Sequence, residues 1–214
     1  MNIGILGTGM VGQALADKLV SLGHHVKMGS RSAGSDKALE FVARHDRGAS
    51  EGSFADAAAH GELLIVATHG TTSLQVLAAA GNANIDGKIV IDISNPLDFS
   101  KGMPPTLSVV NTDSLGEQLQ AAFPTVRLVK TLNTLAAPVM VNPGQFAETT
   151  EIFVSGNDAA AKASVIDLLK TFGWQAPIDL GDISTARGTE MFLALWIRLW
   201  GALGTPVFNI RIVR

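Results

Sequence analysis

The sequence predicts an α/β fold: a doubly wound, mostly parallel sheet with a small C-terminal α/β extension. Three observations predict it. Short apolar runs alternate with segments of helical period, the runs lack polar alternation, and a glycine-rich turn joins the first run to the first helix. Asn2–Leu6 is the first strand. Met10–Leu22 places Val11, Ala14, Leu15, Leu19 and Leu22 close to the i, i+3/4, i+7/8 pattern, and Gly23 stops the helix. His25–Gly29 reads as a strand and Asp36–His45 as a helix with Ala38, Phe41 and Val42 inward. Leu63–Thr68 is apolar throughout, as a strand covered on both faces requires. Thr71–Ala80 follows as a helix, Lys88–Ile93 as a buried strand, Thr112–Phe123 as a helix and Val126–Thr131 as a strand. Beyond Thr131 the pattern loosens. Glu151–Ser155 is strand-like, Asp158–Phe172 helical, Gln175–Leu180 a last strand and Gly188–Leu203 an apolar helix.

Composition narrows the chemistry. Among 214 residues, Lys plus Arg is 16 against 19 Asp plus Glu, a net charge of −3, which excludes a strongly basic nucleic-acid binder. Cysteine is 0, so disulfides, thiol redox centres, thioester aldehyde oxidation and zinc–thiolate sites are excluded. Tyrosine is 0, which excludes reductases that use a Tyr hydroxyl as proton donor, including the Tyr–Lys pair of short-chain dehydrogenases. The five histidines lack ligand spacing, so no metal site is expected. No basic leader precedes the first apolar run. No segment reaches the roughly 18 uncharged apolar residues of a membrane helix. The expectation is a soluble, cytoplasmic protein with no membrane partner.

Gly7-Thr8-Gly9-Met10-Val11-Gly12 is a G-x-G-x-x-G that leaves the first strand and opens the first helix. In that context Gly7 allows the tight turn, Gly9 lets the backbone approach a pyrophosphate and Gly12 lets helix and strand pack closely. The helix N-terminus adds free N–H groups and a positive dipole end. A Rossmann-like dinucleotide site is therefore expected, a ligand-free glycine turn being the alternative. Where an NAD protein carries an acid for the ribose 2′-OH, this chain has Gly29, Ser30, Arg31 and Ser32. A guanidinium and two hydroxyls suit a 2′-phosphate, so NADP(H) is read over NAD(H), against a merely solvated loop arginine. Thr68 to Thr72, Ile93-Ser94-Asn95-Pro96 and Leu132-Asn133-Thr134 follow later strands, where open α/β sheets place their ligands. These loops are expected to rim the nicotinamide, although Thr71 and Thr72 serve equally well as helix caps.

Gly-Thr-Gly-Met-Val-Gly, Gly29-Ser30-Arg31, Asp92-Ile93-Ser94-Asn95-Pro96 and Val129-Lys130-Thr131-Leu132-Asn133-Thr134 together resemble the NADP oxidoreductases dependent on coenzyme F420. The same blocks resemble the oxidoreductase domain of the STEAP metalloreductases. The resemblance runs from residue 1 to about residue 173 and more loosely to the end of the chain. It implies direct hydride transfer between NADP(H) and a flavin or deazaflavin such as coenzyme F420. By matching position it implies that Thr8, Gly9, Met10 and Val11 cradle the pyrophosphate and that Ser30 and Arg31 hold the 2′-phosphate. Ala67, Thr68, Ile93, Asn133, Thr134 and Leu135 would line the nicotinamide. The family often has an apolar or proline-containing turn where this chain has His69-Gly70-Thr71. His69, the best-placed histidine, either contacts or protonates substrate or only reshapes the pocket.

Hydride transfer to a flavin-like ring asks the protein for position rather than acid–base chemistry, which fits a chain without an obvious acid–base dyad. Two other readings stay open: reduction of a small carbonyl or imine, and a non-catalytic NADP(H)-binding redox sensor. Relatives of the carbonyl type usually carry a long all-helical C-terminal domain, and here only residues 136–214 follow Leu135. The expected division is an NADP-binding domain over 1–135 and a C-terminal segment over 136–214 that packs on it. That segment would supply the acceptor pocket and a dimer contact. Trp196 and Trp200 stand one turn apart on its apolar helix, which predicts burial against a second copy and hence a homodimer. Arg187, Arg198, Arg211 and Arg214 either hold an anionic substrate or form a solvated face. Lys130 either meets an anion or is solvated or ion-paired.

Overall fold

A computed structural model describes residues 1–213 of the chain. β1 (Asn2–Leu6) leads into α1 (Met10–Ser21), β2 (His25–Ser30), α2 (Asp36–Ala43), β3 (Ala49–Ser53) and α3 (Phe54–His60). β4 (Leu63–Val66), α4 (Gly70–Ala80), the single turn α5 (Asn82–Ile85) and β5 (Ile89–Asp92) follow. A small hairpin, β6 (Leu97–Asp98) and β7 (Thr106–Leu107), precedes α6 (Leu115–Ala122), β8 (Arg127–Thr131) and α7 (Ala137–Val141). The chain closes with β9 (Ile152–Ser155), α8 (Ala159–Phe172), β10 (Pro177–Gly181), α9 (Ala186–Met191) and α10 (Leu193–Leu203).

Eight strands form one sheet in the order β10-β9-β8-β5-β4-β1-β2-β3, and only the β8–β9 pairing is antiparallel. The chain therefore winds outward from β1 to β3, returns to β4 on the other side of β1 and winds outward again. This is the Rossmann-like doubly wound arrangement, with its switch point between β1 and β4. The strands beyond residue 135, β9 and β10, extend the same sheet.

Strand period builds two cores. Ile3, Ile5, Leu63, Ile65, Ile91 and Val129 face one side, with Leu15, Leu19, Phe41, Val165 and Trp174 packed over them. Leu6, Leu64, Val66, Val90 and Leu128 face the other, under Ala57, Leu77, Leu115 and Leu119. Covering on both faces explains why these strands read as continuous apolar runs.

The sequence reading left 49–60 unassigned, and it holds β3 and α3. Ala-Ser-Glu-Gly-Ser has no apolar run because β3 is a sheet edge, with Gly52 its one buried residue. Helix 112–123 starts later, at Leu115, because the Ser114 hydroxyl accepts from the Glu117 N–H and caps it. The expected helix 188–203 is interrupted at Phe192. It buries a stripe of Leu193, Trp196 and Ile197, while Leu195, Trp200 and Leu203 stay exposed. The Trp196 and Trp200 rings lie 5.7 Å apart, and Trp196 also stacks on Phe208 at 5.3 Å. Among the described residues no helix is long and apolar enough to cross a membrane.

Trp174 is buried between α8 and β10, and its indole N–H donates to the Met140 carbonyl at 3.1 Å, tying α7 to this corner. Trp174→Phe keeps most of the packing but orphans that carbonyl. Urea unfolding should show a loss of about 1–3 kcal/mol, and an unchanged midpoint would contradict the assignment.

Candidate functional site

A cavity of about 750 Å³ opens at the C-terminal ends of β1, β2, β4 and β5, at the switch point. Gly7, Thr8, Gly9, Met10 and Val11 form one wall. Gly7 adopts φ +130°, which L side chains rarely adopt, and a Cβ on Gly12 would collide with the Gly7 carbonyl. The turn therefore needs glycine at both positions. A Cβ on Gly9, in contrast, would meet nothing within 4 Å. No side chain caps α1, so its first N–H groups are free to bond an anion in the cavity.

A second helix end joins the first. α4 begins at Gly70 with His69 as N-cap and no side-chain cap bond. Thr71 and Thr72 do not cap it; the Thr72 hydroxyl donates back to the His69 carbonyl at 2.9 Å. One face of α4 then lines the cavity through Thr72, Gln75, Val76 and Ala79. The His69 side chain is in the wall and exposed, with no hydrogen bond to the described residues.

At the end of β2, Ser30 and Arg31 line the cavity, and Arg31 is exposed with no carboxylate partner among the described residues. The Ser30 hydroxyl is engaged, donating to the Ser32 carbonyl at 2.5 Å. Ser32 itself is exposed and outside the lining.

Ala67, Thr68, Ile93 and Asn95 line the cavity, and Ser94 and Leu97 join them. Gly12, Pro96, Asn133, Thr134 and Leu135 do not. Gly12 is buried against the Gly7 turn, and the Pro96 carbonyl accepts from the Ser108 N–H at 2.8 Å. Asn133 acts one layer back. Its carbonyl accepts from the Asn95 amide at 2.8 Å, and its own amide donates to Asn95 Oδ1 at 3.0 Å. Thr134 is buried, and Leu135 belongs to the core.

Sequence reasoning missed Phe54, Gln75, Val76, Ala79 and Leu97. The Ser53–Asp56 capping box was the available sign of a helix starting at Phe54. The i, i+3, i+4, i+7 spacing of the α4 residues was visible, but the face they occupy follows only from the packing.

Behind the floor lies a buried ionic cluster. Lys130 Nζ donates to Asp92 Oδ2 at 2.8 Å and to the Ser94 carbonyl at 2.5 Å, and pairs with Glu190 Oε1 at 2.8 Å. All three side chains are essentially inaccessible. Burial alone would push the ammonium pKa down. The charges of Asp92 and Glu190, with their hydrogen bonds, outweigh it and hold Lys130 above its ordinary value. Glu190 also accepts from the Leu115 and Gly116 N–H groups at 2.8 and 3.0 Å, so α9 caps α6. The solvated alternative for Lys130 is thus replaced by an interior ion pair.

The other C-terminal cations stand apart from the cavity. Arg187 forks onto Glu117, and that hydrogen-bonded guanidinium holds the Glu117 carboxyl below its usual range. Arg211 pairs with Glu148, Arg198 is exposed, and Arg214 lies outside the described residues.

Comparison with known proteins agrees with the fold. A family described as NADP oxidoreductase, coenzyme F420-dependent, matches residues 2–96. A crystal structure from Arthrobacter sp. FB24, provisionally named an F420-dependent NADP reductase, is 54% identical with a TM-score of 0.95 over 100% of both chains. The F420-dependent NADP reductase of Methanocaldococcus jannaschii is 29% identical over 67% of this chain and 64% of its own length. Human metalloreductase STEAP2 is 28% identical over 94% of this chain but only 37% of its own length. The chain thus spans less than two thirds of either curated relative. The glycine turn, the Gly-Ser-Arg strand end and the shared fold along the whole chain place it in the coenzyme F420-dependent NADP oxidoreductase family.

Proposed function

We propose that this NADP-dependent oxidoreductase passes a hydride directly between the nicotinamide of NADP(H) and a flavin or deazaflavin ring of the coenzyme F420 type. The observation that carries the cofactor half is the convergence of two uncapped helix N-termini and the unpaired Arg31 on one cavity. The donor set fits the ligand. Free N–H groups of the Thr8–Val11 turn suit a pyrophosphate, and the open space at Gly9 admits it. The Arg31 fork suits a 2′-phosphate, with Ser30 holding the loop through its bond to Ser32.

Ala67, Thr68, Ile93 and Asn95 then fall to the nicotinamide end. When bound, the nicotinamide and the acceptor ring supply the redox chemistry themselves. The task of the chain is to hold donor and acceptor atoms within about 3–3.5 Å and to keep the reacting face free of competing groups. A wall of Ile93, Leu97 and backbone polar groups suits that task. A second reading, reduction of a small carbonyl or imine compound, is favoured by the unpartnered imidazole of His69 in the same wall.

The reading of two copies joined through α10 rests on its exposed Leu195, Trp200 and Leu203. A homodimer by light scattering that Leu195→Glu converts to monomers is the expected result; a monomeric unmodified chain contradicts it. A cytoplasmic location belongs to the same proposal.

Arg31→Ala tests the cofactor reading. Calorimetric titration should show NADPH binding weakened about 10- to 100-fold, as for a lost charge-assisted pair, with NADH binding nearly unchanged. Equal losses for both cofactors would remove Arg31 from the 2′-phosphate and reopen the choice between NAD and NADP.

A further inference from the structure

The Ser94 residue in the cavity wall is gripped at all three of its polar atoms. Its N–H and hydroxyl both donate to Asp92 Oδ1, at 2.9 and 2.5 Å, and its carbonyl accepts from Lys130 Nζ at 2.5 Å. Lys130 has three ammonium donors, and Asp92, Glu190 and Ser94 use them all. Two of these bonds suffice to neutralise the ammonium. The third fixes a peptide. In a planar trans peptide the C=O and the next N–H point in opposite directions. With the Ser94 carbonyl turned inward to Lys130, the Asn95 N–H is turned away from it, on a residue that lines the cavity. That N–H has no acceptor among the described residues. The Asn95 side chain does not compete, because both ends of its amide are bonded to Asn133.

We propose that Lys130 is a positioning residue: through the Ser94 carbonyl it orients the 94–95 peptide so that the Asn95 N–H donates to an amide carbonyl oxygen, that of the nicotinamide carboxamide. The inference rests on the NADP(H) reading above. A peptide free to rotate would present its carbonyl to the same oxygen and repel it, so the ammonium decides the sign of the contact.

The test compares two ligands on two proteins. Adenosine 2′,5′-bisphosphate carries the 2′-phosphate half of the cofactor without the nicotinamide; NADPH carries both. The double variant Lys130→Met/Glu190→Gln keeps the formal charge of the cluster at −1, since one cation and one anion leave together. Its fold is checked by thermal unfolding. The variant should bind the bisphosphate within about twofold of the unmodified chain and NADPH about tenfold more weakly, the loss of one buried hydrogen bond. A folded variant that binds both ligands unchanged, or weakens both alike, overturns the proposal.

Should the variant not fold, the unmodified chain supplies the test. The thioamide analogue of NADPH, whose sulfur is a poorer acceptor, should bind several-fold more weakly than NADPH, and equal affinity overturns the proposal. If the unmodified chain binds neither NADPH nor the bisphosphate, the cofactor reading itself falls. If it binds both and the ratio does not respond, only the role of Lys130 falls.

Discussion

The ammonium of Lys130, sealed inside the protein between Asp92 and Glu190, is the contact on which the floor of the cavity depends. It joins β5, β8 and α9 directly, and through Glu190 it reaches the N-terminus of α6. One cation, two anions and a helix N-terminus leave little uncompensated charge, and every bond is at hydrogen-bonding distance. Such a cluster is a weak source of net stability, since desolvation offsets most of the attraction. What it supplies is geometric definition. Removing Lys130 alone would leave two interior carboxylates without their cation, and breaking a buried pair in this way costs about 3–5 kcal/mol.

The cavity divides its work between two kinds of interaction. At one end, the uncapped N-terminus of α1 and the exposed Arg31 guanidinium present positive charge to the cavity, both set by the turns after β1 and β2. At the other end, shape and a few fixed backbone groups dominate, and the ionic cluster sits just behind them. The C-terminal segment takes part in this second end. α9 contributes Glu190, and α10 packs on Leu97 of the cavity wall. The segment after residue 135 is therefore tied to the cavity both electrostatically and by packing.

The central strands and most helices were legible because their signals are local. Apolar runs covered on both faces, glycines at a tight turn and helical periodicity need no tertiary information. The same holds for the glycine turn, Arg31, Thr68, Ile93 and Asn95, all of which reach the cavity. Elements that depend on their neighbours were not legible. β3 has no apolar run because it is an edge, and Phe54 reaches the site only because α3 returns over β1 and β2. Asn133 to Leu135 sit at a strand end by sequence, yet the Asn95–Asn133 pairing moves them one layer back. Lys130 showed no sign of burial, since its partner Glu190 lies 60 positions away in the chain.

The central claim is direct hydride transfer across this cavity, and isotope transfer tests it most directly. NADPH carrying deuterium at the transferable C4 position would be mixed with the protein and oxidised coenzyme F420, in parallel with small aldehydes and imines. The products would then be read by mass spectrometry. The account predicts that the label arrives on the deazaflavin ring carbon without dilution by solvent protons. Label found on an aldehyde or imine carbon instead, or NADPH bound with no transfer to any acceptor, would contradict it.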